Sequence, residues 1–399
     1  MVTVEECWLA GLAACGIAPS DAAADLTQLI TPADLPHVAE AAEGGGNPVI
    51  EVLRLLRQRL GDINPTAAHW VHRGLTSQDV LDTALVLGLR EALTTVNEEL
   101  RAQISATMTL VETHRHTVMA GRTLSQHAVP TTFGRKAASW LDGLLEAAED
   151  IDAAEDRLAA QFGGAAGTMA AGTELARQSG ATAPERTAWQ VAEYAATQLG
   201  LPMSIPWHTN RARITRSGDA LVRACDAWGH IAQDVLVMSR TEIAELSEPT
   251  GDGRGGSSAM PQKVNPVLSV LLSRTSLIAP HQAAQLHLAA AQQVDERAVG
   301  GWHAEWPALQ TLVRGTIAAA RHATELLSGL RVHGERMTRR AVEAGEDLLA
   351  EQRAIIAAAG SSPPASDLAS AAVENYLGAA DLIVSTVLGQ AERYLREKA

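Results

Sequence analysis

The chain has 399 residues, a formal charge of −14 and 46% hydrophobic residues. It is long enough to bury a large core and to form two or three domains, and its negative balance argues against general attraction to nucleic acid or to an anionic membrane. Aromatic residues are few, at 8 Trp, 3 Tyr and 2 Phe, so Ala, Leu and Val must fill the interior, which suits closely packed helices better than sheet.

The first residues, Met1 to Cys7, lack the basic region and long apolar run of a secretory signal. No stretch approaches the roughly 20 apolar residues needed to span a bilayer. Cys7, Cys15 and Cys225 form neither a CxxC pair nor a metal-ligand cluster, and an odd count without a disulfide framework fits a reducing compartment. A cytoplasmic protein with no nucleic-acid or membrane partner is expected.

Residues 1–85 read as a helical domain of short helices and loops, punctuated by Gly44-Gly45-Gly46 and Asn64-Pro65. Residues 86–335 then carry long helices. Leu89, Leu93, Val96, Leu100, Ile104, Met108 and Val111 recur at spacings of three and four, which predicts one continuous apolar stripe. Trp140, Leu144, Ala148, Ile151 and Leu158 repeat the pattern over 137–160, and Leu221, Cys225, Trp228, Ile231 and Val235 over 215–246. Two further segments are expected at 267–293, with a kink at Pro280, and at 305–328. Residues 336–399 form a smaller helical region divided by the Gly-Ser-Ser-Pro-Pro stretch at 360–364. Five long helices without alternating strands predict an all-α fold built on a central bundle. Helices of that length leave apolar surface that further copies would cover.

Polar residues cluster where long helices meet loops. Thr76, Ser77 and Gln78, preceded by His72 and followed by Asp79 and Asp82, supply donors at a predicted helix start. That is either a carboxylate site or an ordinary N-cap with a surface histidine. Gln126 and His127 stand just before Pro130 at an expected helix entrance. His114 and His116, two apart on a helix, point away from each other and make no metal pair. A third stretch holds His208, Asn210 and Arg211, and a fourth runs from Asp295 to Trp306, with Trp302 and Trp306 as core anchors. Nothing resembles HExxH, a P-loop or GxGxxG, so no metal and no cofactor is indicated.

The most informative segment is Gly-Gly-Ser-Ser-Ala-Met-Pro-Gln-Lys-Val-Asn-Pro at 255–266. Glycines free the backbone, and Pro261 and Pro266 fix φ and remove donors, with Pro266 placed as the first residue of the following helix. Ser257, Ser258, Lys263 and Asn265 can then face an anion together.

In this order, these stretches resemble the fumarase/aspartase superfamily of lyases, whose shared loop reads GSSxMPxKxNP. The remainder is most similar to the bacterial 3-carboxy-cis,cis-muconate cycloisomerase branch. The matching stretches are Gly121–Pro130 with Thr132 to Gly134, Phe162–Thr168, Pro206–Thr209, Glu248-Pro249 ahead of Gly253–Ser258, and Glu296-Arg297 ahead of Gly300–Trp302 and Glu305–Pro307. The likeness runs from about Glu51 onward and implies that the chain begins inside the family's first domain.

The resemblance implies three helical domains, a homotetramer with a common helical core, and active sites combining segments of three subunits. It implies cofactor-independent β-elimination or its reverse on a small di- or tricarboxylate, through a carbanion held as an aci-carboxylate. Ser257 matches the family's general base, Lys263 and Asn265 its carboxylate holders, and Thr76, Ser77 and Gln78 its second anion-binding segment. Arg122, Thr123, Gln126, His208, Arg211, Ser258 and Met260 complete the expected substrate-binding set. Most of these lyases carry a histidine where Leu124 stands, so His127 or His72 is the expected second acid/base.

The first functional expectation is interconversion of 3-carboxy-cis,cis-muconate and 4-carboxymuconolactone, in the protocatechuate branch of the β-ketoadipate pathway. Gln262 and Val264 stand where that branch carries His and Arg, and Asn210 and Ala212 replace Gln and Asp. These differences leave open a C–N lyase of the same fold, releasing fumarate or an analogue from a succinyl compound in specialised metabolism. A catalytically silent relative is the third possibility.

Overall fold

A computed structural model of the chain describes residues 1–249, 251, 254–360 and 373–398. The expected divider at 361–364 and Gly253 lie outside the described residues. The fold is all-α: helices dominate, and the strands are two short antiparallel pairs.

The first helices are α1 (Val2–Ala14), α2 (Leu35–Gly45), α3 (Val49–Gly61) and α4 (Pro65–Trp70). Their punctuation is local chemistry. Gly46 closes α2 in the left-handed region at φ 68°, which only glycine enters without strain. Asn64 caps α4 by accepting from the Ala67 N–H, and Pro65 needs no donor at the first helical position.

Helix α5 (Ser77–Thr113) follows, and the stripe Leu89, Leu93, Val96, Leu100, Ile104 and Val111 is buried along it. Strands β1 (Val118–Thr123) and β2 (Gln126–Thr132) lead into α6 (Phe133–Glu155). Then come α7 (Ala170–Gln178), α8 (Pro184–Gln198), α9 (Ala212–Met238), the short strand β3 (Leu246–Ser247), α10 (Val267–Ala291) and α11 (Gly301–Gly329). Strand β4 (Arg331–Val332) pairs with β3, and α12 (Gly334–Glu343), α13 (Gly345–Leu348), α14 (Ala350–Ala358) and α15 (Ala380–Glu397) complete the described chain.

Several expectations need correction. The helix expected to reach residue 246 ends at Met238. Pro266 stands one residue before α10, and its carbonyl accepts from the Val270 N–H. His114 and His116 lie in the turn after α5 rather than on it. Gln126 and His127 are on strand β2, not at a helix entrance, because the Leu124-Ser125 turn sends the chain back along β1 before α6 begins.

The chain divides into two compact units. The first comprises Met1–Leu93, Ala154–Ser217 and Ala284–Leu309, and the second Thr94–Ala153, Gly218–Ala283 and Gln310–Ala399. In the first, α1 packs on α8, and Gly11 permits the approach, since a Cβ there would lie 3.0 Å from the Val191 carbonyl oxygen. In the second, Val118 and Ala120 of β1 join Ala341, Leu348, Leu349 and Val373 in one apolar cluster, and the Trp228 N–H donates to the buried Gln103 amide. Among the described residues no helix is long and apolar enough to cross a membrane.

Candidate functional site

Both units hold residues that the sequence singled out. In the second unit the 255–266 loop is closed by its own backbone. The Gly255 carbonyl accepts from the Asn265 N–H at 2.8 Å and from Asn265 Nδ2 at 3.1 Å. Gly255 sits at φ 74°, and a Cβ there would meet the Asn265 carbonyl at 2.8 Å, so no other residue fits. An outer clasp lies below: the Glu248 carboxylate accepts from the Leu268 and Ser269 N–H groups and from Ser269 Oγ at the start of α10, where a negative charge also meets the helix dipole.

Within this ring, Ser257 Oγ accepts from the Met260 N–H at 3.2 Å and more weakly from the Ala259 N–H at 3.4 Å. Backbone donors on a hydroxyl oxygen favour its deprotonated form over its neutral one. Ser258, Met260 and Lys263 are exposed, and Lys263 makes no ion pair among the described residues. Asn265 spends its amide N–H on the loop itself, so it shapes the loop that carries Ser257 and Lys263.

The hairpin β1–β2 also belongs to the second unit. Thr123 pairs with Gln126 across a two-residue turn in which Leu124 and Ser125 have φ of 49° and 66°. Such turns favour Asn-Gly, and here a leucine takes the left-handed position with 98% of its surface exposed. Thr123, Gln126 and His127 are exposed beside it. Arg122 is committed elsewhere, in a bidentate pair at 2.9 and 2.7 Å to the fully buried Glu245.

In the first unit, the start of α5 enters a buried polar knot. Asp79 accepts from the Gly163 and Gly164 N–H groups and from His208 Nε2, each at 2.9 Å, and also from the Thr76 N–H. Gln78 donates to Asp82 and to the His208 carbonyl. Arg211, fully buried, bridges Asp82 at 2.7 Å and Glu305 at 2.7 Å, and the Trp302 indole N–H donates to Asp82. Burial opposes the Arg211 charge, but Asp82 and Glu305 together hold its pKa above the ordinary arginine value. Burial pushes Glu305 above the usual carboxylate range, partly offset by Arg211.

Gln78, His208 and Arg211 therefore have no free donor surface of their own: the structure gives them to Asp79, Asp82 and Glu305. Protein partners thus hold all three side chains, while Gln78 Oε1 is buried without a partner in the described protein. Thr76 and Ser77 stay half-exposed at the helix start, and Arg297 donates to Thr76 Oγ1 at 3.0 Å. His72 lies five residues before α5, with Nδ1 2.7 Å from the Glu5 carboxylate.

Sequence reasoning singled out the cations and amides but missed that they are paired with Glu5, Asp79, Asp82, Glu245 and Glu305. Asp79 and Asp82 carried a faint signal, as acids in the first turns of a helix. Glu305 stood in a stretch of the family pattern, but Glu5 and Glu245 lie far along the chain from their partners and no local pattern marks them.

A family model described as Lyase matches residues 40–277. The chain is 40% identical over 359 residues to nitrosuccinate lyase of Streptomyces davaonensis, covering 89% of this chain and 75% of that protein. It is also 40% identical over 329 residues to 3-carboxy-cis,cis-muconate cycloisomerase of Bradyrhizobium diazoefficiens, covering 82% and 70%. The crystal structure of 3-carboxy-cis,cis-muconate lactonizing enzyme from Pseudomonas putida superimposes with a TM-score of 0.83 at 29% identity, over 99% of this chain and 94% of that one.

Proposed function

The chain belongs to the lyase family of the fumarase/aspartase superfamily and is an enzyme of that group, and from that premise we propose that it eliminates a weakly basic nitrogen leaving group from a succinate-type dicarboxylate, releasing fumarate or an analogue. The observation that carries this reading is Val264. It is 72% exposed on the loop beside Lys263, where the carboxymuconate enzymes have an arginine. One loop cation suits one carboxylate of a dicarboxylate, and a tricarboxylate would bring a third negative charge without a partner there.

Ser257 is the base. Its alkoxide, held by the Met260 and Ala259 N–H groups, takes the proton α to a carboxylate. The carbanion pair then forms the double bond as the carbon–nitrogen bond breaks and the leaving group departs with its electrons. Lys263, with Ser258, faces the carboxylate on which the charge accumulates. Leu124 at the hairpin tip has no proton to give, so the proton that meets the departing group comes from another residue of the site. His72 is the second proton-transfer group: a carboxylate fixes its ring, while the His127 side chain has no partner among the described residues. Arg122, Gln78, His208 and Arg211 act as positioning groups, and Thr76 and Ser77 as the second anion-binding segment.

We place these segments together through a homotetramer. Val270, Leu277, Ile278 and Leu288 of α10 are exposed apolar residues, and a helix apolar on all sides calls for a partner. A second reading, interconversion of carboxymuconate and its lactone, is favoured by the likeness to the lactonizing enzyme over nearly the whole chain. One experiment separates them: tetramers confirmed by light scattering, given nitrosuccinate and carboxymuconate in parallel. Fumarate release from the first, with the diene absorbance of the second unchanged, is the expected result. Loss of the diene absorbance without fumarate release moves the assignment to the cycloisomerase.

A further inference from the structure

Helix α1 is bound to the segment ahead of α5 at two points one helical turn apart. Glu5 has no exposed surface, and its Oε1 lies 2.7 Å from His72 Nδ1, while Oε2 is buried without a partner in the described protein. Three residues along the same helix face, the Trp8 indole N–H donates to the Arg73 carbonyl at 2.8 Å. The Trp8 ring packs on Phe162, and a Cβ on Gly74 would come within 3.3 Å of it. His72 itself sits in the left-handed region at φ 67°, and its side chain keeps 15% of its surface exposed. A histidine in that conformation is strained, and strain persists only where the surroundings enforce it. Here Glu5 holds the ring and Trp8 holds the backbone immediately after it.

We propose that Glu5 is a positioning residue: it fixes His72 in the Nδ1–H tautomer, with Nε2 presented as the proton-accepting and proton-donating atom. The proposal rests on His72 being the second proton-transfer group of the reaction above. An ionised carboxylate can only accept, so the proton on Nδ1 is held there and the Nε2 lone pair is free. Without such a partner an imidazole distributes its proton between both nitrogens, and part of the population is in the unproductive form. Among the described residues Nε2 has no protein partner, as a group reserved for a ligand requires. The absence of a second bond to Glu5 Oε2 fits the same role, since the carboxylate is directed to one ring atom instead of being spread over a structural network like that around Asp79.

The test uses the whole chain in its assembled form and the substituted forms Glu5→Leu and Glu5→Gln. Leucine matches the buried volume without an acceptor. Glutamine keeps the shape and can offer Nδ1 a donor, so one form serves if the other does not fold. Nitrogen-15 histidine-labelled samples in magic-angle-spinning spectra, with His72 assigned by difference against His72→Gln, report the tautomer without reference to any substrate. The native protein is expected to show the proton on Nδ1, Glu5→Leu to spread it over both nitrogens, and Glu5→Gln, through its amide donor, to move it toward Nε2. Turnover should fall about 10- to 100-fold in kcat, with KM changed less than twofold and thermal midpoints close to native. A proton that stays on Nδ1 in both forms, or sits on Nε2 in the native protein, overturns the role of Glu5. If His72→Gln keeps native kcat while the tautomer moves as stated, Glu5 does hold the ring, and it is the proton-transfer reading of His72 that fails.

Discussion

The 255–266 loop and the polar knot around Arg211 are both dense in charged and amide side chains, yet they are built in opposite ways. The loop satisfies its backbone internally, through Gly255, Asn265 and the Glu248 clasp, and leaves Ser258 and Lys263 in solvent. The knot leaves almost nothing over: Arg211, Asp82, Glu305, Gln78 and Trp302 are spent on one another. Polar residues in a sequence motif can thus be reagents or rivets, and burial separates the two. A saturated buried charge holds helix starts in register at the cost of desolvation. An exposed charge on a closed loop costs little and stays available to a ligand.

The contrast can be broken most sharply from the buried side. Arg211→Met leaves Asp82 and Glu305 as buried carboxylates without a cation, and should destabilise the fold by about 3–5 kcal/mol, read as a lowered midpoint in chemical denaturation. An unchanged midpoint would mean that water reaches the knot. On the exposed side, Ser257→Ala should lower turnover by about 10²–10⁴-fold and leave the denaturation midpoint where it was. Near-native turnover would remove serine as the base.

The smallest effect sharpens the account of Glu305. Burial raises its pKa, so the folded state binds the proton at pH values where the unfolded chain has released it. The stability it contributes is fully present below the unfolded value of about 4.3 and is lost as pH rises through the folded pKa. Glu305→Gln lacks this dependence and keeps a neutral group beside Arg211. Comparing the two proteins from pH 4 to 7, the stability advantage of the native chain over Glu305→Gln should shrink as pH rises. A growing advantage would show that the ion pair outweighs burial.

The long helices were legible because their information is local. The three-and-four spacing from Leu89 to Val111 reports which side of a helix is apolar wherever that helix ends up, and these positions are buried apart from Met108, which is partly so. Boundaries set by single residues were legible too, as at Gly46 and Asn64. The hairpin was not. Its turn is made by Leu124 and Ser125, which lack the Asn-Gly or Asp-Gly pattern that marks two-residue hairpin turns, so the stretch before Pro130 read as the approach to a helix. The site divides along the same line: the closed loop with Ser257 and Lys263 is one contiguous segment, while every missed group was a carboxylate whose partner lies elsewhere.

The sequence by itself determined the helical class, the five long segments, and the contiguous loop at 255–266 that gathers Ser257, Ser258, Lys263 and Asn265. Each of these depends on neighbours within a few positions of the chain. Only the tertiary structure decided which polar residues are free. Glu5 meets His72 across 67 positions, Arg122 meets Glu245 across 123, and Arg211 meets Asp82 across 129. A charge in a sequence carries no mark of whether it is hydrated or paired; packing settles that, because the cost of burying a charge makes its partner obligatory.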